Sequence, residues 1–423
     1  MQVFKFGGAS VNSIERIRNV ADILKQYQNE KLLVVISAMG KTTNALEKVV
    51  EAFYGGEKEK ALSLFEQIKS DHLATSLALH GANDPETDHD TEQLKNLFTE
   101  VEWLLHDKPV RPFDYYYDQV VCIGELLSTS IISAYLNQSG VANQWIDVRD
   151  IFRTDDNFRD ANIDWNYTQN KVNESVRPLF EKNNIIITQG FIGATDENES
   201  TTLGREGSDY SAAVFANMLD AKSQAIWKDV KGVMNADPKQ FSDATYISEL
   251  NYNEVIEMAF YGAQVIHPKT IKPLQNKGIP LYVKCFTDPT AAGTFIHDKN
   301  VNHLPPIIVL KNDQVLMHLN TRDFSFVGEK PISRLYELLA ETRIKPNLLQ
   351  TAAVNIMMCV DDKPEKIEKL SLSAAEIFDV QIEKGLTLLT IRHYSDELLQ
   401  NMVKGKDILL RQQTPETVQI LMK

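Results

Sequence analysis

Cysteine is scarce: three in 423 residues, Cys122, Cys285 and Cys359, far apart and with no Cys-x-x-Cys pair. That excludes a disulfide scaffold and a zinc cage, and fits reduced thiols in a cytoplasm. No basic-then-apolar leader opens the chain and no apolar run reads as long enough to span a bilayer, so a soluble, cytoplasmic protein without a membrane partner is expected. Positive charge is also short. The 44 Lys and Arg stand against 58 Asp and Glu, a net charge of −14, and such a field repels nucleic acid. Any phosphate bound here is small and held locally. Protein ligands for a metal are missing too: His80, Asp84, Asp88 and His89 match no ligand spacing and read as a solvated acidic loop. No metal-ligating residues are assigned. The length suits two or three domains.

What is present starts at the first residue. Val3, Phe4 and Phe6 form a β-prone run that Gly7-Gly8 breaks. Asn12 reads as a helix N-cap, with Glu15 completing a capping box, and Ile14, Ile17, Ala21 and Leu24 give the helix one apolar face. A glycine turn leading into a helix start lets backbone N–H groups approach an anion. Lys5, just before the turn, either adds a full positive charge to that anion or points to water. Leu32–Ile36 is a continuous apolar run suited to a buried parallel strand. It runs into Ser37-Ala-Met-Gly-Lys-Thr-Thr-Asn44. Gly40-Lys41-Thr42 imitates the end of a P-loop, but the first glycine of that motif would fall on Val35, so the P-loop fails. A polar strand-to-helix turn remains, at the strand end where open α/β sheets bind ligands.

Residues 55–110 are mostly helical by pattern, broken at 82–90. A helix over 116–136 carries Glu125 among Val120, Val121, Ile123, Leu126 and Leu127. A carboxylate in that company either faces solvent or is held for a reason. A strand is expected over 143–148, a helix over 168–182 and a buried strand over 184–190. In Thr201-Thr-Leu-Gly-Arg-Glu-Gly-Ser-Asp-Tyr-Ser211, Gly204 and Gly207 allow a turn, Ser208 reads as an N-cap, and a helix starts at Ala212. Arg205 can grip a carboxylate there in a bidentate fork. Asp209 either favours the helix dipole or orients a lysine or a metal. A strand over 225–230, a loop over 231–238, helices over 251–260 and 267–277, and a strand over 280–285 follow. His267, before Pro268, reads as structural. This alternation predicts a three-layer α/β/α domain with a mainly parallel sheet over 1–298. A linker over 299–306 leads to a smaller α+β region over 307–423, with strands at 307–319, 354–360 and 386–391 and helices at 332–342 and 363–377.

In order, Lys5-Phe-Gly-Gly-Ala-Ser-Val11, Ser37-Ala with Thr43-Asn44, Gly124-Glu125-Leu126, Thr188-Gln-Gly-Phe-Ile192, Thr202-Leu-Gly-Arg-Glu-Gly-Ser-Asp-Tyr210, Trp227-Lys-Asp-Val, Ala236-Asp-Pro and Gly262-Ala-Gln-Val-Ile-His-Pro268 resemble the aspartokinases of the amino-acid kinase family. The resemblance implies ATP and Mg²⁺ as cofactors and phosphoryl transfer to the β-carboxylate of L-aspartate, opening lysine, threonine and methionine synthesis. It implies that Lys5, Gly7 and Gly8 hold the transferred group, that Ser10 supports their turn, and that Asp209 organises the centre. Ser37, Thr43, Glu125, Arg205 and Ser208 would bind aspartate, with Glu125 on the ammonium and Arg205 on a carboxylate. Lys228, Asp229, Met234, Asp237, Lys239 and Gln264 would lie near the nucleotide. Ala9 stands where the family usually has Thr, Lys228 where many relatives have Thr, Met234 where Tyr is frequent and Lys239 where Arg is usual. Gln264 replaces a common Lys, and Lys228 is expected to supply the missing charge. The chemistry fits independently, because a β-carboxylate is ionised at neutral pH and needs no general base to attack phosphorus.

The C-terminal region is similar to the family's ACT regulatory domains. Residues 320–329 lack the usual Ser-Arg-Gly-Phe turn. The second ACT unit is expected to lack its last helix and strand, and no homoserine dehydrogenase half is expected after residue 423. Lysine or threonine as effector follows from the resemblance, and a homodimer or higher oligomer through this region is expected because an incomplete sheet leaves an edge to be covered. The competing readings are a kinase for another amino acid and a non-catalytic amino-acid sensor.

Overall fold

A computed structural model describes residues 1–81, 86–263, 266–323 and 325–423, the side chains of 86–91 excepted. Asp84 and Gln264, and the side chains of Asp88 and His89, lie outside the described residues. The chain divides into two compact units. The first comprises Met1–Val233, Tyr246–Ile256 and Ile266–Val301; the second comprises Met234–Thr245, Glu257–Val265 and Asn302–Lys423.

The first unit holds strands β1 (Gln2–Phe6), β2 (Leu32–Ile36), β3 (Asn143–Trp145), β4 (Ile185–Gln189), β7 (Gln224–Lys228), β8 (Glu249–Asn251), β9 (Leu281–Cys285) and β10 (Thr294–His297), with a separate hairpin of β5 (Ile192–Ala194) and β6 (Ser200–Thr202). The eight-stranded sheet runs β3-β4-β2-β1-β7-β9-β10-β8. Only the β9–β10 pair is antiparallel. Every residue of β2 and β4 is buried, so helices must cover both faces. The described helices are α1 (Ile14–Lys25), α2 (Thr42–Tyr54), α3 (Lys58–His80), α4 (Glu86–His106), α5 (Phe113–Gln138), α6 (Trp165–Lys171), α7 (Gly207–Met218), α8 (Tyr252–Tyr261), whose second half groups with the second unit, and α9 (Pro268–Gln275). The central strand β1 pairs with β2 and β7, setting Lys5 beside Val35 and Ile226. The carboxyl ends of these three strands therefore lie side by side.

Several boundaries differ from the sequence expectation. Gly8–Val11 forms a short 3₁₀ turn, so the cap of α1 falls on Ser13, whose hydroxyl accepts the Arg16 N–H at 3.3 Å, and not on Asn12. Helix α7 starts at Gly207, with Glu206 left-handed at φ 54° before it. Ser208 therefore lies inside the first turn and is not its cap. The helix expected over 168–182 ends at Lys171 and continues as a wide turn over Val172–Val176 and a tight one over Arg177–Glu181. Pro178 has no N–H to give back to the preceding turn. The expected absence of a bilayer-length apolar run also needs correction. Among the described residues α5 alone is long and apolar enough to cross a membrane, and 83% of its most apolar window is buried. It is the core helix of this unit. All three cysteines are free and buried, and burial pushes the Cys122 thiol up to about 11 and that of Cys359 up to about 12.

The second unit contains β11 (Ile307–Thr321), α10 (Glu329–Thr342), β12 (Leu348–Thr351), β13 (Asn355–Asp361), α11 (Pro364–Ala374), β14 (Phe378–Arg392), α12 (Asp396–Val403), β15 (Ile408–Gln413) and β16 (Thr417–Met422). They form one antiparallel sheet in the order β12-β13-β11-β14-β16-β15. Its two 15-residue strands, β11 and β14, serve both halves. Residues 314–321 and 378–386 complete a βαββαβ half, while 307–311 pair with 388–392. The first residues of β11 thus belong to the second half of the sheet. A core of Val315, Met317, Leu335, Leu338, Met358, Ile367, Leu370 and Phe378 fills the space beneath the first half.

Candidate active site

The ends of β1, β2 and β4, the start of α7 and one face of α5 enclose a cavity of about 440 Å³. Lys5 enters it from β1, and its Nζ lies 2.6 Å from the Asp209 carboxylate in the first turn of α7. Lys5 therefore does not point to water, and Asp209 does more than complement a helix dipole. Burial pushes the Asp209 carboxyl up, but the charges of Lys5 and Lys228 and the Lys5 hydrogen bond outweigh it, leaving the pKa below the usual carboxylate range. The Asp209 carboxylate is therefore ionised at neutral pH.

The glycine turn is fixed by close backbone approach. A Cβ on Gly8 would sit 2.7 Å from the Ala38 carbonyl oxygen, closer than side chains approach backbone, and 3.0 Å from that of Gly40. The Gly40 N–H donates to the Gly8 carbonyl at 3.0 Å, so the turn after β1 is bonded to the turn after β2. Gly8, Ser37, Ala38 and Gly40 line the cavity together. Gly7, also expected at the site, does not line the cavity; a Cβ there would meet Lys5 Nζ at 3.3 Å. Ser10 faces away, its hydroxyl donating to the Trp227 carbonyl at 3.4 Å and tying this turn to β7.

Glu125 reaches the same cavity from the middle of α5. It is not solvent-facing: burial pushes its carboxyl up to about 8, against the Ala38 N–H bond and the charge of Lys5, which pull it down. Its Oε2 has no hydrogen-bond partner among the described residues. Thr43 lines the cavity from the first turn of α2, and Arg205 and Ser208 from the turn into α7. Gly204 before them is left-handed at φ 75°, and a Cβ there would strike Asp160 Oδ1 at 2.6 Å. Glu206 also faces the cavity and accepts the His267 N–H at 2.9 Å.

The expected residues are not all gathered. Lys228 acts on Asp209 through its charge but does not line the cavity, and neither does Asp229. Met234, Asp237 and Lys239 fall in the segment that groups with the second unit. There the Asp237 carboxylate accepts the Lys239 N–H at 2.9 Å, closing a turn. Conversely, Tyr117, Arg159 and Phe191 line the cavity without having been singled out. Tyr117 had a signal, since two steps of four residues along α5 lead from it to Glu125. Arg159 had none. Its turn is held by Asp118, a buried carboxylate that accepts the Arg159 N–H at 3.0 Å, the Thr202 N–H at 2.8 Å and the Thr202 hydroxyl at 2.7 Å. Burial pushes the Asp118 carboxyl up to about 6 despite these bonds.

A lysine–carboxylate pair beside a glycine-lined backbone turn can bind and align a phosphoryl group. A buried carboxyl lacking one partner, with an arginine in the same space, can take an amino acid by its ammonium and carboxylate. Comparison with known proteins agrees. Residues 1–285 match the model of the Amino acid kinase family. Lysine-sensitive aspartokinase 3 of Escherichia coli is 31% identical over 416 residues, 96% of this chain and 89% of that protein. Aspartokinase 1, chloroplastic, of Arabidopsis thaliana is 32% identical, over 96% of this chain and 69% of its own length. The crystal structure of E. coli aspartokinase III with aspartate and ADP, in its R-state, superposes with a TM-score of 0.81 at 27% identity, covering 100% of this chain and 96% of that one. Its T-state complex with lysine and aspartate gives a TM-score of 0.79 at 28% identity, covering 100% and 95%.

Proposed function

Because this chain belongs to the amino acid kinase family, and within it to the aspartokinases, we propose that it is an ATP-dependent aspartate kinase. The β-carboxylate oxygen of L-aspartate forms a bond to the γ-phosphorus of ATP as the bond from that phosphorus to the β,γ-bridging oxygen breaks. ADP leaves and 4-phospho-L-aspartate remains. The nucleophile is already an anion at neutral pH, so no proton has to be removed. The protein's task is alignment and charge.

Lys5 carries the charge for the moving phosphoryl group, and Asp209 fixes the direction of its ammonium. The backbone at Gly7 and Gly8 leaves room for the phosphate oxygens. Glu125 takes the substrate ammonium, Arg205 its α-carboxylate, and Ser37, Thr43 and Ser208 supply neutral hydrogen bonds. Lys228, Asp229, Met234, Asp237 and Lys239, with Gln264, are our candidates for the nucleotide side. Among the described residues no three His, Cys, Asp or Glu side chains could cage a metal ion. Mg²⁺ would accordingly be held chiefly by the nucleotide's own phosphates, neutralising their charge. The second unit is our candidate for subunit association and for an amino-acid effector, with lysine tested before threonine because the E. coli relative is named lysine-sensitive. The cytoplasm is the proposed compartment.

The observation that carries this reading is the Lys5–Asp209 pair in one cavity with Glu125 and Arg205. Trapping with hydroxylamine tests it. Hydroxamate should form with ATP, Mg²⁺ and aspartate, not with glutamate or acetylglutamate, and should vanish in Lys5→Ala. Aspartate binding without hydroxamate would turn the assignment to a sensor.

A further inference from the structure

Arg159 is a second arginine in the cavity, and the roles above leave it without a task. Its guanidinium lies 4.2 Å from the Tyr117 ring centroid, a stacking that fixes the plane of the fork. Its N–H groups reach Asp114 at 3.2 Å and Glu47 at 3.5 Å. Both carboxylates are at least a third exposed, and solvent-screened pairs of this kind hold little. The group is oriented by an aromatic face and not consumed by a strong partner.

The backbone shows how firmly the residue is placed. Arg159 is left-handed, at φ 69°, which costs a non-glycine residue free energy and persists only where surrounding bonds demand it. Those bonds fasten its turn to the segment that bears Arg205. Asp118 holds the N–H of Arg159 and that of Thr202. The Ala161 N–H donates to the Thr202 carbonyl at 3.0 Å. Lys269 Nζ bridges Asp160 Oδ1 and the Leu203 carbonyl, each at 3.0 Å. A Cβ on Gly204 would come within 3.3 Å of the Arg159 carbonyl oxygen. The two arginine-bearing turns are thus locked back to back beside one cavity.

We propose that Arg159 is a substrate-binding and specificity-determining residue that closes on the α-carboxylate of aspartate together with Arg205. One carboxylate shared by two guanidinium forks admits an amino acid whose α-carboxylate is free and rejects one in which it is masked. The inference rests on the aspartate-kinase reading.

Arg159→Gly is the decisive variant, since glycine takes φ 69° without strain and the turn is preserved. Its Tm should equal or exceed that of the parent. The KM for aspartate should rise tenfold or more, with kcat and the KM for ATP within twofold. The preference for aspartate over its α-amide should shrink by the same factor as KM rises, and Arg159→Lys should fall between. A KM for aspartate within twofold of the parent overturns the proposal, as does an equal loss toward aspartate and the α-amide. If the parent yields no hydroxamate, the kinase reading fails. Calorimetric titration of aspartate into parent and Arg159→Gly then decides on Arg159: at least tenfold weaker binding to the variant supports it, and equal binding to both, or none to the parent, refutes it.

Discussion

Two buried carboxyl groups face the same cavity from different elements, Asp209 from α7 and Glu125 from α5, and each is 3% exposed. Equal burial gives them opposite character. Asp209 has Lys5 at 2.6 Å and titrates below the usual carboxylate range, whereas Glu125 makes no ion pair among the described residues and is pushed up to about 8. Burial raises both; a resident cation reverses the outcome for one. The paired side of the cavity is charged before substrate arrives. The unpaired side becomes charged when a cation comes to it.

Removing Lys5 abolishes that contrast and should have the largest effect. Lys5→Ala leaves Asp209 buried without its nearest cation, so kcat for hydroxamate formation should fall by ~10³-fold or more, as for loss of a preorganised charge at a transition state. Its Tm should drop as well, since stranding one member of a buried pair costs about 3–5 kcal/mol.

Glu125→Gln breaks the other side and should separate stability from function. The lost charge-assisted bond to the substrate ammonium should raise the KM for aspartate by about 10²-fold. The folded pKa of Glu125 lies above its value of 4.5 in an unfolded chain. Stability from this group is therefore full below that value, falls as pH rises, and levels off above about 8. Tm of the ligand-free protein should decline across this window, and Glu125→Gln should flatten the decline. Asp209 works in the reverse sense, and its contribution is lost as acid protonates it.

A finer test reads the charge change directly. At pH 7, aspartate binding should release up to about one proton from Glu125, seen as a dependence of calorimetric heat on buffer ionisation enthalpy. The effect should disappear in Glu125→Gln. The smallest expected change belongs to Lys228→Ala, which removes the more distant cation acting on Asp209. Its ATP KM should rise a few-fold, about what a partly screened charge supplies. No larger change than in a remote lysine variant would remove Lys228 from the nucleotide side.

The parallel core was legible because fully buried strands read as unbroken apolar runs, as at Leu32–Ile36 and, more briefly, Ile185–Ile187. Lys5, Ser37, Thr43, Arg205, Ser208 and Asp209 were legible because each lies where a strand end or helix start meets a glycine or polar turn, and Glu125 because it is a carboxylate among apolar helix neighbours; all seven line one cavity. Whether Lys5 and Glu125 faced inward was not legible, because a partner 204 or 87 residues away leaves no local pattern. The caps at Asn12 and Ser208 were misplaced by a 3₁₀ turn and a left-handed Glu206. The first half of β14 escaped notice because Asp379, Gln381, Glu383 and Lys384 are polar on a partly exposed sheet. Arg159 and Asp118 escaped it because their value lies in hydrogen bonds across 41 and 84 residues.

The thiols leave the experimenter an advantage. Cys122, Cys285 and Cys359 are each at most 3% exposed, and thiolates are scarce at neutral pH where burial pushes the pKa to about 11 and 12. Maleimides and similar reagents should pass the native fold by. A single cysteine placed at the partly exposed Glu47, beside the Arg159 guanidinium, would then carry a fluorophore alone, and the unaltered chain is already a labelling background with nothing to remove.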